Sequence, residues 1–124
     1  MIRIKEIAFT GYPITDVARA RSFYEGVLGL KQTMQFDQDG KSWIEYDVGP
    51  ATLAISNLAG EKWKPSHDGP STALEVDDFD AAIQELRAAK VTFALEPMDT
   101  GGCRMAVVLD PDGNSLTIHK RNAK

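Results

Sequence analysis

Leu109-Asp110-Pro111-Asp112-Gly113-Asn114-Ser115-Leu116-Thr117-Ile118-His119 decides how this chain is read. Asp, Pro, Asp and Gly in that order suit a type I turn, because proline presets φ and the glycine closes the turn in a left-handed conformation. Apolar residues from Met105 to Leu109 precede the turn, and strict alternation from Ser115 to His119 follows it. The pattern predicts a hairpin whose second strand turns Leu116 and Ile118 towards a core. Its other face carries Ser115, Thr117 and His119. Small polar groups on a half-buried strand face point to a lined cavity rather than a dry core.

Working outward, the same arrangement occurs twice. Ile4 to Tyr12 reads as a strand stopped by Pro13. Asp16 is placed to cap a helix from Val17 to about Leu28, whose apolar face is Ala20, Phe23, Tyr24, Val27 and Leu28. Gly29 ends it. Strands are expected near 31–36, 42–48 and 51–57, with Asp39-Gly40 and Gly49-Pro50 as turns. Residues 58–70, with Gly60, Pro65, Gly69 and Pro70, form a linker. A strand over 71–76 follows, then a helix from Phe79 to about Ala89 capped by Asp78. The last strands fall near 91–96, 103–109 and 115–119. The caps Asp16 and Asp78 are 62 residues apart, and Leu53-Ala54-Ile55 answers Leu116-Thr117-Ile118 at an offset of 63. A 124-residue chain is therefore two tandem β-α-β-β-β units, about 1–57 and 71–124, in one α+β domain. The free sheet faces of two such units can curl into one cleft.

Composition narrows the function. A chain of this length buries roughly two-thirds of its unfolded surface and needs no disulfide or structural metal. Cys103 is the single cysteine, which fits a reducing, cytoplasmic setting. Met1-Ile2-Arg3-Ile4-Lys5-Glu6 has no apolar signal region, and no run approaches the roughly 20 apolar residues of a membrane span. The net charge of −4 is scattered, so neither a nucleic acid nor a membrane is expected as partner.

Alternation then selects site residues. If Leu53, Ile55, Leu74, Val76, Leu116 and Ile118 pack under the helices, the free faces carry Phe9, Thr52, Ala54, Ser71, Ala73, Glu75, Thr117 and His119. Trp43 and Glu45 share a free face on another strand. Arg104 joins them only if Cys103, Met105 and Val107 face the helix. A carboxylate near a histidine could do acid–base work. The plain alternative makes Glu45 and Glu75 rim charges and His119 the start of a frayed tail. Trp63, in a Gly/Pro-rich stretch, is either a lid or an anchor for the linker. Because the free-face residues are small or polar, a ligand or water is expected to fill the space. Leucine at Ala54 and Thr117 should then cost little stability.

Three stretches resemble the vicinal oxygen chelate superfamily, which includes glyoxalase I, bleomycin-resistance proteins and extradiol dioxygenases. They are DVARARSFYEGVLGL over 16–30, the second helix start over 76–86, and DPDGN over 110–114. The resemblance implies that fold across nearly the whole chain. In metal-dependent members, one ligand lies seven residues before each helix cap and one on the last strand of each half. Those positions here are Phe9, Ser71, Ala54 and Thr117. Phenylalanine and alanine cannot ligate, and serine and threonine hydroxyls are weak beside imidazole or carboxylate. The expectation is a protein with no metal and no cofactor that binds a small organic molecule, cationic or polar aromatic, as sequestering members do. The alternative is a lyase, isomerase or dioxygenase-like enzyme with a non-standard site using Glu45, Glu75 or His119. The resemblance and the open sheet edges also imply a homodimer.

Overall fold

The structure, a computed structural model, describes residues 1–123. It divides into two compact units, Met1–Lys64 and Pro65–Lys124. In the first unit, strand β1 (Thr10–Pro13) is followed by helix α1 (Val17–Arg21), which continues as a π-helix over Ser22–Val27. Strands β2 (Lys31–Gln38), β3 (Lys41–Val48) and β4 (Ala51–Ser56) complete a sheet of order β1-β4-β3-β2. β1 runs parallel to β4, and the other neighbours are antiparallel.

Local chemistry fixes these elements. The Asp16 carboxylate accepts from the Arg19 backbone N–H at 3.0 Å, satisfying one of the helix's unpaired donors. The chain widens to a π-turn where Phe23 and Tyr24 are adjacent. The Leu28 N–H reaches back five residues to the Phe23 carbonyl, and both rings are buried against each other edge-to-face at 5.0 Å. Asp39 and Gly40 both have positive φ, the geometry of a two-residue hairpin turn. The core lies between this helical segment and one sheet face, made of Tyr12, Ile44, Tyr46, Leu53 and Ile55. Tyr24 stacks on Tyr46 at 6.2 Å. The Tyr46 hydroxyl donates to Glu25 Oε2 at 2.8 Å, and Arg21 Nε pairs with the same oxygen at 2.8 Å. Burial, together with that carboxylate, pushes the Tyr46 hydroxyl well above the ordinary tyrosine range.

The second unit repeats the plan. Strand β5 (Thr72–Glu75), helix α2 (Phe79–Ala88), and strands β6 (Thr92–Asp99), β7 (Cys103–Leu109) and β8 (Ser115–Arg121) form a sheet of order β5-β8-β7-β6. Asp78 caps α2 by accepting from the Ala81 N–H. Phe79, Ile83 and Leu86 are buried with Ala106, Val108, Leu116 and Ile118. Each of the larger of these side chains removed from water contributes about 1.5–3 kcal/mol.

The turn after β7 does more than reverse the chain. Gly113 adopts positive φ, and Asp110 Oδ1 accepts from the Asp112 and Asn114 backbone N–H groups at 2.9 Å. Asn114 donates to Asp110 Oδ2 at 2.8 Å and accepts from the Ser66 N–H at 3.2 Å. Buried Asp110 and Asn114 therefore clasp the chain leading into β5 as well as the hairpin.

Several boundaries differ from the expectation. The first strand is confined to Thr10–Pro13 rather than starting at Ile4. With Thr10 opposite Leu53, Ala8 would already lie opposite Ala51, where β4 begins, so residues farther upstream meet no ladder partner. Pro13 is the last residue of the strand rather than its stop. β8 runs two residues beyond His119, because Arg104 and Cys103 of β7 pair with Lys120 and Arg121.

Candidate functional site

In the first unit the sheet face away from α1 is set by register. Gly11, Ala54 and Glu45 lie in one row across β1, β4 and β3. Ser56 lies opposite Trp43 in the next row, and Thr52 opposite Asp47 in the row on the other side. Phe9, one residue before β1, meets Trp43 edge-to-face at 5.1 Å. That contact crosses diagonally over the row holding Ala54, and Ala54 has no exposed surface. The aromatic pair therefore roofs a small residue. The indole Nε1–H of Trp43 donates to Glu45 Oε2 at 2.8 Å, fixing both side chains. Trp63 lies over Gly11, where an added Cβ would come within 3.0 Å of its ring. A side chain there would press on the indole and oblige it to shift by a few tenths of an ångström. β2 adds Met34, opposite Glu45, and Phe36, opposite Trp43. Phe36 is 50% exposed and Phe9 48%. This face is an aromatic platform with the Glu45 carboxylate set into it and Asp47 one row away.

In the second unit the corresponding face carries Ala73 beside Thr117, and Glu75 beside His119. Val107 and Met105 lie opposite Thr117 and His119. Leu95 and Met98 of β6 follow outward, opposite Val107 and Met105. Ser71 and Thr117 hydroxyls are 3.0 Å apart, and Ser71 also donates to the Ser115 carbonyl at 3.3 Å. Glu75 Oε1 lies 2.5 Å from His119 Nδ1, and Glu75 Oε2 accepts from the Arg121 backbone N–H at 2.8 Å. The Arg121 N–H and then the imidazole hold the Glu75 carboxyl below its ordinary range.

Most of the residues selected by alternation lie on these two faces. Thr52, Ala54, Trp43 and Glu45 share one sheet face, with Phe9 against Trp43. Ser71, Glu75, Thr117 and His119 gather on the other sheet. Arg104 is a correction. It packs against α2, with its guanidinium 2.5 Å from Asp80 and 4.6 Å above the Phe79 ring. Cys103, Met105 and Val107 therefore occupy the open face, and Arg104 is not part of it. His119 is not the start of a frayed tail but a mid-strand residue with a carboxylate partner. Phe36 and Leu95 were missed, and Met34 and Met98 belong to these open faces where the sequence alone left core and cavity packing as alternatives. β2 and β6 each carry a register shift, between Gln32 and Met34 and around Leu95, and a shift of this kind defeats simple alternation.

The resemblance places the ion ligands of metal-dependent members at Phe9, Ala54, Ser71 and Thr117. Phe9 and Ala54 offer no donor atom, and the Ser71 and Thr117 hydroxyls are engaged with each other. Among the described residues, no group of three or more His, Cys, Asp or Glu is gathered to hold a metal ion. Among them, too, no helix is long and apolar enough to cross a membrane.

Comparison with known proteins agrees with the repeat and its topology. A sequence model of the Glyoxalase/Bleomycin resistance protein/Dioxygenase superfamily matches residues 4–118. No curated protein matches the sequence. Among solved structures, TnmS3, an antibiotic binding protein from Streptomyces sp. CB03234, superimposes with a TM-score of 0.80 at 20% identity, covering 98% of this chain and 100% of its own. A superfamily member from Sphaerobacter thermophilus gives 0.73 at 22% identity, covering 95% and 98%. The trypanothione-dependent glyoxalase I of Leishmania major gives 0.73 at 23%, covering 94% and 87%. At these identities the likeness establishes the fold, which hosts both binding proteins and enzymes. The family match spans nearly the whole chain, and the chain belongs to the Glyoxalase/Bleomycin resistance protein/Dioxygenase superfamily.

Proposed function

We propose that this protein binds a flat organic molecule, without a metal ion, and acts by sequestering it. The observation that carries this reading is the platform of Phe9, Trp43, Phe36 and Trp63 around the Glu45 carboxylate. Rings at a sheet surface offer large apolar area at little entropic cost, and their negative faces attract a cation. Glu45 and the net charge of −4 favour the same sign of ligand. Donor-free Phe9 and Ala54 at the family's ion-holding positions support the metal-free part. The antibiotic-binding function of the TnmS3 relative supports the sequestering part.

The protein is further proposed to work as a homodimer in the cytoplasm. Ile2, Ile4 and Ile7 are each at least 80% exposed on the segment before β1, which is more apolar surface than a lone chain normally leaves in water. The lone, half-buried Cys103 suits a reducing compartment.

The test uses proflavine, a flat cationic dye. Equilibrium dialysis should show saturable binding by the wild type. Trp43→Ala should weaken it by about tenfold, the loss of one stacked or cation-facing ring. Equal retention of dye by wild type and Trp43→Ala would remove the platform from the account.

A further inference from the structure

We infer that the Glu75–His119 pair is a docking point for the acidic hydroxyl of a phenol-class ligand, with the imidazole as proton acceptor. The inference rests on the small-molecule reading above but concerns the second unit alone. An ionised carboxylate only accepts hydrogen bonds. Since Glu75 Oε1 lies 2.5 Å from His119 Nδ1, the proton between them belongs to Nδ1 whichever charge the ring carries. In the neutral ring Nε2 is then a bare lone pair. Glu75 is itself fixed by the Arg121 N–H at 2.8 Å, so the ring is oriented from behind. Among the described residues Nε2 has no partner, while the His119 side chain keeps 25% of its surface exposed.

The surroundings choose the ligand. Met105 lies opposite His119, and Val107, Leu95 and Met98 extend the same face, giving a flat apolar bed for a ring. Thr117 sits two residues along β8, about 7 Å away. Its hydroxyl, paired with Ser71 at 3.0 Å, can present a donor or an acceptor. A ring carrying a hydroxyl and a polar group at the opposite end spans that distance. The hydroxyl donates to Nε2. When the phenol is acidic its proton passes to Nε2, leaving a phenolate beside an imidazolium whose charge Glu75 balances.

The experiment titrates 15N-labelled protein with 4-nitrophenol and reads the His119 ring nitrogens through their two-bond proton couplings. At a pH where Nε2 of the free protein reads unprotonated, the phenol should displace that resonance saturably. 4-Nitroanisole, the same ring without the proton, should bind about tenfold more weakly to wild type, the worth of one such hydrogen bond. The two should bind alike to His119→Phe, which offers the hydroxyl no acceptor. This ligand-side comparison needs no variant to fold. An unmoved Nε2 at saturating phenol, or equal affinity for phenol and ether, would each overturn the inference. Proflavine binding at Trp43 is read on the other sheet. A silent Nε2 with intact dye binding therefore removes only this inference, and lost dye binding with a responsive Nε2 removes only the aromatic platform.

Discussion

Replacing Ala54 by leucine inserts three carbons beneath the Phe9–Trp43 roof. The sequence alone implied that such a change would be tolerated, because small residues on the free face left room. Ala54 instead has no exposed surface, and the two rings meet at 5.1 Å across its row. Forcing methylenes into a filled site costs about 1–3 kcal/mol. Parting an edge-to-face pair forfeits up to about 1.5 kcal/mol more. Phe9 is 48% exposed, so its ring can swing outward, which holds the total near 2 kcal/mol. For a chain of this size that is a fall of about 8 °C in melting temperature. Scanning calorimetry measures the fall, and near-ultraviolet circular dichroism follows Trp43, whose band should change as the contact opens. An unchanged melting point with an unchanged tryptophan band would mean that space above Ala54 is already empty, and the roofed geometry would be wrong.

Four further outcomes follow from the same geometry. Tyr46→Phe removes a buried hydroxyl that donates to Glu25, and should cost about 1–2 kcal/mol by urea denaturation, since Arg21 still satisfies the carboxylate. Arg104→Gln touches only the α2 side and should leave proflavine dialysis unchanged; a tenfold loss would return Arg104 to the site. The folded-state pKa of Glu75 is lowered, so its stabilising effect is present above the usual value of 4.5 and is lost as pH falls through the folded value. Thermal melts from pH 6 downward should therefore decline less steeply in Glu75→Gln than in wild type, and parallel curves would contradict this. Light scattering at micromolar concentration should give twice the 13.6 kDa chain mass, whereas a single-chain mass would dispose of the homodimer.

Much of the fold was legible because local signals and the repeat agreed. Asp16 and Asp78 cap their helices as their positions implied, and Asp110 to Gly113 turn the chain between β7 and β8. Alternation then put Ala54 and Thr117 on the free faces without any structure. Four things escaped it. The π-turn at Phe23 and Tyr24 depends on burying two adjacent rings, a tertiary demand that a regular helical period cannot carry. Register shifts in β2 and β6 break the two-residue period, between Gln32 and Met34 and around Leu95, so that Leu95 and Met98 share a face although three residues apart. Arg104 was ambiguous because β7 is apolar on both faces, so its orientation depends on finding Asp80, which lies 24 residues earlier. The Asn114–Ser66 clasp left no local mark either, since it joins residues 48 positions apart.

The central claim is that the ligand is held by side chains alone. The direct measurement is a proflavine titration of 15N-labelled protein, before and after exhaustive chelation, reading the Trp43 indole N–H. The account predicts a saturable shift of that resonance with the same affinity in both preparations. Binding that disappears on chelation and returns with one equivalent of a divalent metal would contradict it.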